Sequence, residues 1–300
     1  MGANRKTIRC SDTGTTRGSF ITDPDSLEQA RSRIVDDIRA TVDNAGAQGA
    51  VVAMSGGIDS TVTAALAVEA LGSDRVLGLG LPCHKTEHPS VSEARTIAEG
   101  LGIEFTEIQL RPLLEAFEET VASELESAAD RDASGRPHER NHAIGNVIAR
   151  LRMCCAYYTA NRQHRLVLGT ANRSEWLLGY FTKYGDGAAD TYPLGDLYKT
   201  EVWALATQIG IPRRIVSKEP TAGFWADQTD ADELGASYDV IDPLLQRLID
   251  DGESIREAAD MLDIDPETAR SIAWLSTETR HKRTMPPTPG IGGRDGDTGR

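Results

Sequence analysis

Residues Ala50–Ser60 read A-V-V-A-M-S-G-G-I-D-S. The first five, Ala50–Met54, are short, wholly apolar and followed at once by glycines, the pattern of a strand buried on both faces. A helix-compatible run extends from Asp59 to Leu71. Strand, glycine turn and helix make a βα unit, and the alternation continues outward in both directions. Upstream, Asp25 can cap a helix reaching Asn44, with Leu27, Ile34, Val35 and Ile38 on one face. Downstream, strands are expected at Arg75–Leu81 and Ile103–Leu110, with helices at Val91–Leu101 and Pro112–Leu125. Residues 128–143 are polar and read as a surface loop. Helix resumes at Ile144, where Ile144, Val147, Ile148, Leu151, Cys154, Cys155 and Tyr158 share one face. Arg165–Gly169 is a fourth strand, a long loop runs to Pro193, a helix starts at Tyr198, and the rest reads as helical and acidic. Repeated crossovers of this length mean an α/β fold with a doubly wound parallel sheet.

Composition narrows the function. The 300 residues are 39% hydrophobic and 26% charged, enough apolar material for one α/β domain of generous size or two small ones. Residues 23–284 are expected to form a single domain, with a disordered leader at 1–22 and a disordered Pro/Gly tail at 285–300. No apolar run approaches the ~18 residues of a membrane span, and the polar N-terminus lacks a signal peptide's apolar region. The four cysteines (Cys10, Cys83, Cys154, Cys155) have neither metal-site spacing nor the density of a disulfide framework, which fits a reduced, cytoplasmic protein. A net charge of −14 argues against nucleic acid as a partner. Lysine is scarce: Lys6, Lys85, Lys183, Lys199, Lys218 and Lys282 are all there are. An acidic surface with arginine in place of lysine suits work at high salt, where self-repulsion is screened, as in a halophile. Each surviving lysine becomes a candidate for function.

Chemistry concentrates in two places. In Ser55-Gly56-Gly57-Ile58-Asp59-Ser60, the glycines let backbone N–H groups and the helix N-terminus face an anion, and Ser55 and Ser60 add hydroxyls. Asp59 would repel a phosphate unless Mg²⁺ sits between them. The second place is Gly169-Thr170-Ala171-Asn172-Arg173-Ser174-Glu175, after the fourth strand, followed by Gly179-Tyr180-Phe181-Thr182-Lys183-Tyr184-Gly185-Asp186. A strand C-terminus in an open α/β sheet is where ligands bind, beside the first strand's loop.

The glycine loop resembles the pyrophosphate-binding loop of the ATP pyrophosphatases, the adenine nucleotide alpha hydrolase-like group. Those enzymes split ATP between the α and β phosphates and adenylate a substrate oxygen. Within that group, the second constellation is similar to the NAD synthetase signature. Further blocks follow in the same order: Gly145–Met153, Pro193-Leu194 with Leu197–Thr200, Lys218–Ala222, Gln228–Asp230 with Glu233–Gly235, and His281-Lys282-Arg283. The resemblance covers residues from about 26 to 286, and Ile58 replaces a glutamine some members carry. It implies a Rossmann-like fold and ammonia-dependent synthesis of NAD⁺ from deamido-NAD⁺ and ATP, with Mg²⁺ as cofactor and a homodimer as the assembly.

By the same resemblance, Ala53, Met54, Ser55, Gly56, Gly57, Ile58, Asp59, Ser60, Thr170, Lys199 and Thr221 contact ATP. Arg150, Lys183, Asp190, His281 and Lys282 contact deamido-NAD⁺. Asp59 and Glu175 hold Mg²⁺, and Asp59, Lys199 and Glu175 form the catalytic set. Arg150 lies off the apolar stripe of its helix, so a site role costs no core packing. Cys154 and Cys155 are expected in the core, Cys83, His84 and His88 on a mobile loop, and Trp176 and Tyr180 in packing contacts. Two rivals remain: another ATP pyrophosphatase with a different substrate, and a nucleotide-binding sensor without turnover. Only about 25 residues precede the first helix, too few for an amidase domain, so free ammonia is the expected nitrogen donor.

Overall fold

The computed structural model describes residues 20–84, 87–125, 137–221 and 229–287. Most of the expected leader and tail, part of the 128–143 segment, and Ala222 and Gln228 lie outside them. Helix α1 (Pro24–Asn44) precedes β1 (Gly49–Ala53), α2 (Ile58–Leu71), β2 (Val76–Gly80), α3 (His88–Leu101), β3 (Glu104–Glu107) and α4 (Arg111–Phe117). A π-helical stretch, Glu118–Ala122, and a last turn, Ser123–Leu125, prolong α4. The long α5 (Pro137–Gln163), β4 (Arg165–Leu168), α6 (Arg173–Leu178) and α7 (Lys199–Gln208) follow, then the short α8 (Arg213–Val216) and α9 (Asp230–Leu234). The chain closes with α10 (Tyr238–Leu245), α11 (Ile255–Leu262), α12 (Pro266–Glu278) and α13 (Arg280–Arg283).

Among the described residues four strands form the sheet, all parallel, in the order β3-β2-β1-β4. Every residue of β1 but the last is buried, as is all of β2, because helices cover both faces of the sheet. Side chains alternate across it. Ala50, Val52 and Met54 pack with α1, α2 and α7, while Val51 and Ala53 pack with α5. Gly78 and Gly80 in β2 leave room for Met54 and Phe105: a Cβ would come within 2.8 Å of Met54 Sδ and 2.6 Å of the Phe105 ring. A third cluster, built on Leu178, Tyr198, Tyr238, Ile241, Leu244 and Ile272, joins α6 and α7 to the C-terminal helices. After β3 the chain returns past β1 to place β4 on its other side. The C-terminal ends of β1 and β4 therefore diverge at a switch point.

Several local expectations are corrected. Asp23, not Asp25, caps α1: its carboxylate accepts the Ser26 N–H at 2.9 Å, and Pro24 takes the first turn. Phe20 and Ile21 are already part of the fold. Phe20 sits edge-on to Tyr198, and the Ile21 N–H donates to Glu201 at 2.7 Å. Helix α5 begins at Pro137, within the segment read as loop, because proline is well suited to open a helix. The buried line of α5 runs through Ile148, Ala156 and Ala160. At about 100° per residue, Cys154 and Tyr158 come round to the outside, and both are exposed rather than in the core. No helix among the described residues is long and apolar enough to cross a membrane.

Candidate functional site

The first wall of the site is the turn from β1 into α2. Gly56 is left-handed (φ +76°), and a Cβ there would stand 2.2 Å from the Ser90 carbonyl oxygen, so only glycine fits. Gly57 opens α2 without any side-chain cap, leaving the start of a 14-residue helix to be met by a ligand. The Ser55 hydroxyl accepts the Gly57 N–H at 3.2 Å and lies 3.3 Å from the Ser60 hydroxyl. Ser60 donates in turn to the Gly57 carbonyl at 3.1 Å. Met54 and Ile58 bury their side chains in the core, so they present backbone alone. Ala53 packs on the opposite face of the sheet.

The second wall follows β4. Asn172 and Glu175 form a reciprocal cap on α6: the Glu175 N–H donates to Asn172 Oδ1 at 3.0 Å, and the Asn172 N–H to Glu175 Oε2 at 3.2 Å. The Asn172 amide also donates to Asp59 Oδ1 at 3.0 Å, tying the two walls together. Between the carboxylates stands Lys199, the first residue of α7. Its Nζ is 2.5 Å from Asp59 Oδ2, 3.4 Å from Glu175 Oε1 and 5.4 Å from the centre of the Tyr238 ring. The lysine side chain is 3% exposed, each carboxylate 17%. Burial works against the ammonium, but Asp59 and then Glu175 outweigh it and hold the proton more firmly than usual. Burial, reinforced by the Asp59 charge, pushes Glu175 up to about 8, with Lys199 opposing.

Supporting groups stand behind this triad. Buried Asp242 accepts the Ser174 hydroxyl at 2.6 Å and the Thr200 N–H at 2.9 Å. Ser174 accepts the Lys199 N–H at 2.9 Å. The residues adjacent to Glu175 and Lys199 thus share one carboxylate. Asp230 receives the hydroxyls of Tyr238 at 2.9 Å and Tyr180 at 3.2 Å, and Tyr180 also bonds Glu233. Burial raises Asp230 above the usual carboxylate range. Tyr180 is therefore a polar tether rather than packing alone. Trp176 does pack, stacked on Phe181 with centroids 5.0 Å apart and leaning on Tyr192.

Four of the five residues expected at the dinucleotide also meet. The Arg150 guanidinium donates to the Lys183 carbonyl at 3.2 Å, and Lys183 Nζ to the His281 carbonyl at 2.6 Å. Lys282 Nζ reaches the carbonyls of Gly179 and Phe181 at 2.7 and 3.0 Å, and burial lowers its pKa. The C-terminal H-K-R stretch is thereby clasped onto the loop that begins at Gly179. Asp190 stands apart from that set. It accepts the Val167 N–H at 2.7 Å and the Tyr157 hydroxyl at 3.3 Å, bracing the edge of β4. Thr170 is half-buried at the end of β4, and Thr221 is exposed at the end of a described stretch.

Cys83 is buried and its thiol is pushed up to about 11 by that burial, so it is no nucleophile. Among the described residues, no group of three or more His, Cys, Asp and Glu side chains is arranged to hold a metal ion. The pair Asp59 and Glu175 is the candidate, as two hard oxygen donors. One residue beside the loop was assigned no role in the sequence. Lys218 Nζ donates to the Gly56 carbonyl and the Ser90 hydroxyl, each at 3.2 Å. The scarcity of lysine was the signal that could have found it.

A family model described as NAD synthase matches residues 30–286. The NH(3)-dependent NAD(+) synthetase of Pyrococcus furiosus is 44% identical over 266 residues, 89% of this chain and 96% of that protein. Among solved structures, the NMN synthetase from Francisella tularensis has a TM-score of 0.75 at 34% identity, covering 88% of this chain and 99% of its own. The NH3-dependent NAD synthetase from Campylobacter jejuni, in complex with the nitrate ion, has a TM-score of 0.70 at 27% identity, with 87% and 98% covered.

Proposed function

Because the chain belongs to the NAD synthase family, we propose that it joins ammonia to the nicotinate carboxylate of deamido-NAD⁺ in an ATP-dependent ligase reaction. The carboxylate oxygen attacks the α-phosphate of ATP, the bond to the β-phosphate breaks, and pyrophosphate leaves. Ammonia then attacks the activated carbonyl carbon and AMP departs, giving the amide of NAD⁺. Both reactants of the first step are anions, so positive charge must be fixed in place before they meet. The single observation that carries the reading is Lys199: a buried ammonium held between Asp59 and Glu175, beside the open start of α2.

The Ser55–Ser60 turn receives the departing pyrophosphate through backbone N–H groups and the two serine hydroxyls. Lys199 stays protonated and neutralises phosphate oxygens. Asp59 and Glu175 fit a Mg²⁺ ion: both offer hard oxygens, and they are already oriented by the same Asn172 amide and cap. When bound, the ion supplies neutralising charge at the phosphates. Arg150, Lys183, His281 and Lys282 take the dinucleotide, with Asp190 fixing the strand edge beneath. Exposed Leu113, Val121 and Leu125 on α4 and its extension, with Tyr158 on neighbouring α5, support a homodimer. Sedimentation at high salt should return twice the chain mass.

The test is pyrophosphate release from Mg·ATP that depends on deamido-NAD⁺ and yields NAD⁺ with ammonium. Glutamine in place of ammonium should give little product. Comparable rates with ammonia-free glutamine would overturn the choice of donor. Because the Francisella neighbour is an NMN synthetase, deamido-NMN is the competing substrate to assay alongside. A higher kcat/KM for it would reassign the substrate.

A further inference from the structure

We infer that Lys218 is a positioning residue that sets the peptide plane of the pyrophosphate loop. The proposal rests on the reading of Ser55–Ser60 as that loop. Lys218 Nζ donates to the Gly56 carbonyl at 3.2 Å. That carbonyl shares its peptide unit with the Gly57 N–H, and in a trans peptide the two point in opposite directions. Drawing the carbonyl toward Lys218 therefore turns the Gly57 N–H toward the Ser55 hydroxyl, where it is found at 3.2 Å. Gly56 is left-handed and has no Cβ, so this peptide has the least steric resistance to flipping of any in the turn. Flipped, it would turn its carbonyl oxygen onto the Ser55 hydroxyl, one of the groups assigned to the pyrophosphate.

The ammonium is itself held from two further sides. It donates to the Ser90 hydroxyl at 3.2 Å and lies 3.4 Å from Glu93 Oε2, both on α3. Glu93 is also paired with Arg214 of α8 at 3.3 Å. The same Ser90 carbonyl closes on Gly56 from α3. Loop, α3 and the segment carrying Lys218 thus meet at one point, and the lysine side chain is 32% exposed, so its loss leaves no cavity in the core.

The experiment compares wild type with Lys218→Met and Lys218→Arg in the full chain. Titration calorimetry with magnesium pyrophosphate should show K218M binding at least about tenfold more weakly, with K218R recovering most of the loss. The KM for ATP should rise in parallel while that for deamido-NAD⁺ stays within about twofold. In the ligand-free protein, the Gly57 amide of K218M should exchange its hydrogen about tenfold faster, because the peptide is free to turn. An unmoved Gly57 amide, or equal rises in both KM values, overturns the proposal. If K218M fails to fold, K218R carries the test: a guanidinium that restored neither pyrophosphate affinity nor Gly57 protection would overturn it equally. Wild type that does not bind pyrophosphate refutes the reading of the loop instead.

Discussion

Glu175 pays a stability cost for standing in the site. Its pKa in the folded chain is raised by burial and by Asp59 to about 8, while the unfolded chain ionises it near the ordinary glutamate value. Between those values the folded state binds the extra proton, so stability is present below the lower pKa and is lost as pH rises through the upper one. Glu175→Gln should therefore melt higher than wild type in the absence of ligands. The gap should widen from pH 5 to pH 8, by about 2–4 °C for each kcal/mol relieved. The same variant should lose at least ~10³-fold in kcat. A gap that does not grow with pH would contradict the raised pKa. At this scale part is legible: Asp59 stands in the glycine turn after β1 and Glu175 in the segment after β4, while Lys199 stands out as one of six lysines inside a block that resembles the family's. The partners of Lys218 and Tyr180 are not legible, because they lie 162 and 50 positions away, which no local pattern reveals.

Helix α7 owes its place to a residue on another helix. Asp242 of α10 accepts from Ser174 and Thr200, and so aligns the first turns of α6 and α7 on one buried carboxylate. Asp242→Ala strands two buried donors, at about 1–3 kcal/mol each, and should lower the urea midpoint accordingly. It should also cut kcat more than tenfold by releasing the turn that carries Lys199. Asp242→Asn keeps an acceptor for only one of the two donors, which bond to different carboxylate oxygens, and should fall between. Equal activity in all three forms would show that α7 is fixed by packing alone. Strands β1 and β2 are readable because a strand buried on both faces is a continuous apolar run, and β4, at one edge, because its Val167 and Leu168 are buried. Strand β3, at the edge, is shorter than expected, and its exposed Glu104, Thr106 and Glu107 show why the pattern blurs there. The start of α5 is hidden in the sequence because a polar, charged stretch reads equally as a surface loop.

Across the whole molecule, net charge is the dominant physical variable. At −14 the surface repels itself in dilute buffer, and salt screens exposed charges beyond about 10 Å at 0.1 M. Thermal scans from dilute buffer to 2 M KCl should show Tm rising by about 10 °C or more, a few kcal/mol for a chain of this size. A flat response would leave the acidic composition without a stabilising role. The fold class followed from the order of strands and helices. The clasp of His281–Arg283 onto the loop at Gly179 did not, since it joins segments about a hundred residues apart.

The parallel order of the sheet has a temporal consequence. Strands β1, β2 and β3 neighbour one another in sequence, so their pairing closes short loops. By contrast, β4 must find β1 across 115 residues, and Lys199 must reach Asp59 across 140. Closing long loops is slow, and the entropy is lost before any contact repays it. The glycine turn can thus take shape in a half-folded chain, but the triad cannot. Both long crossings must close before Asp59 meets its counter-ion, so ligase activity is expected only once β4 and α7 are in place.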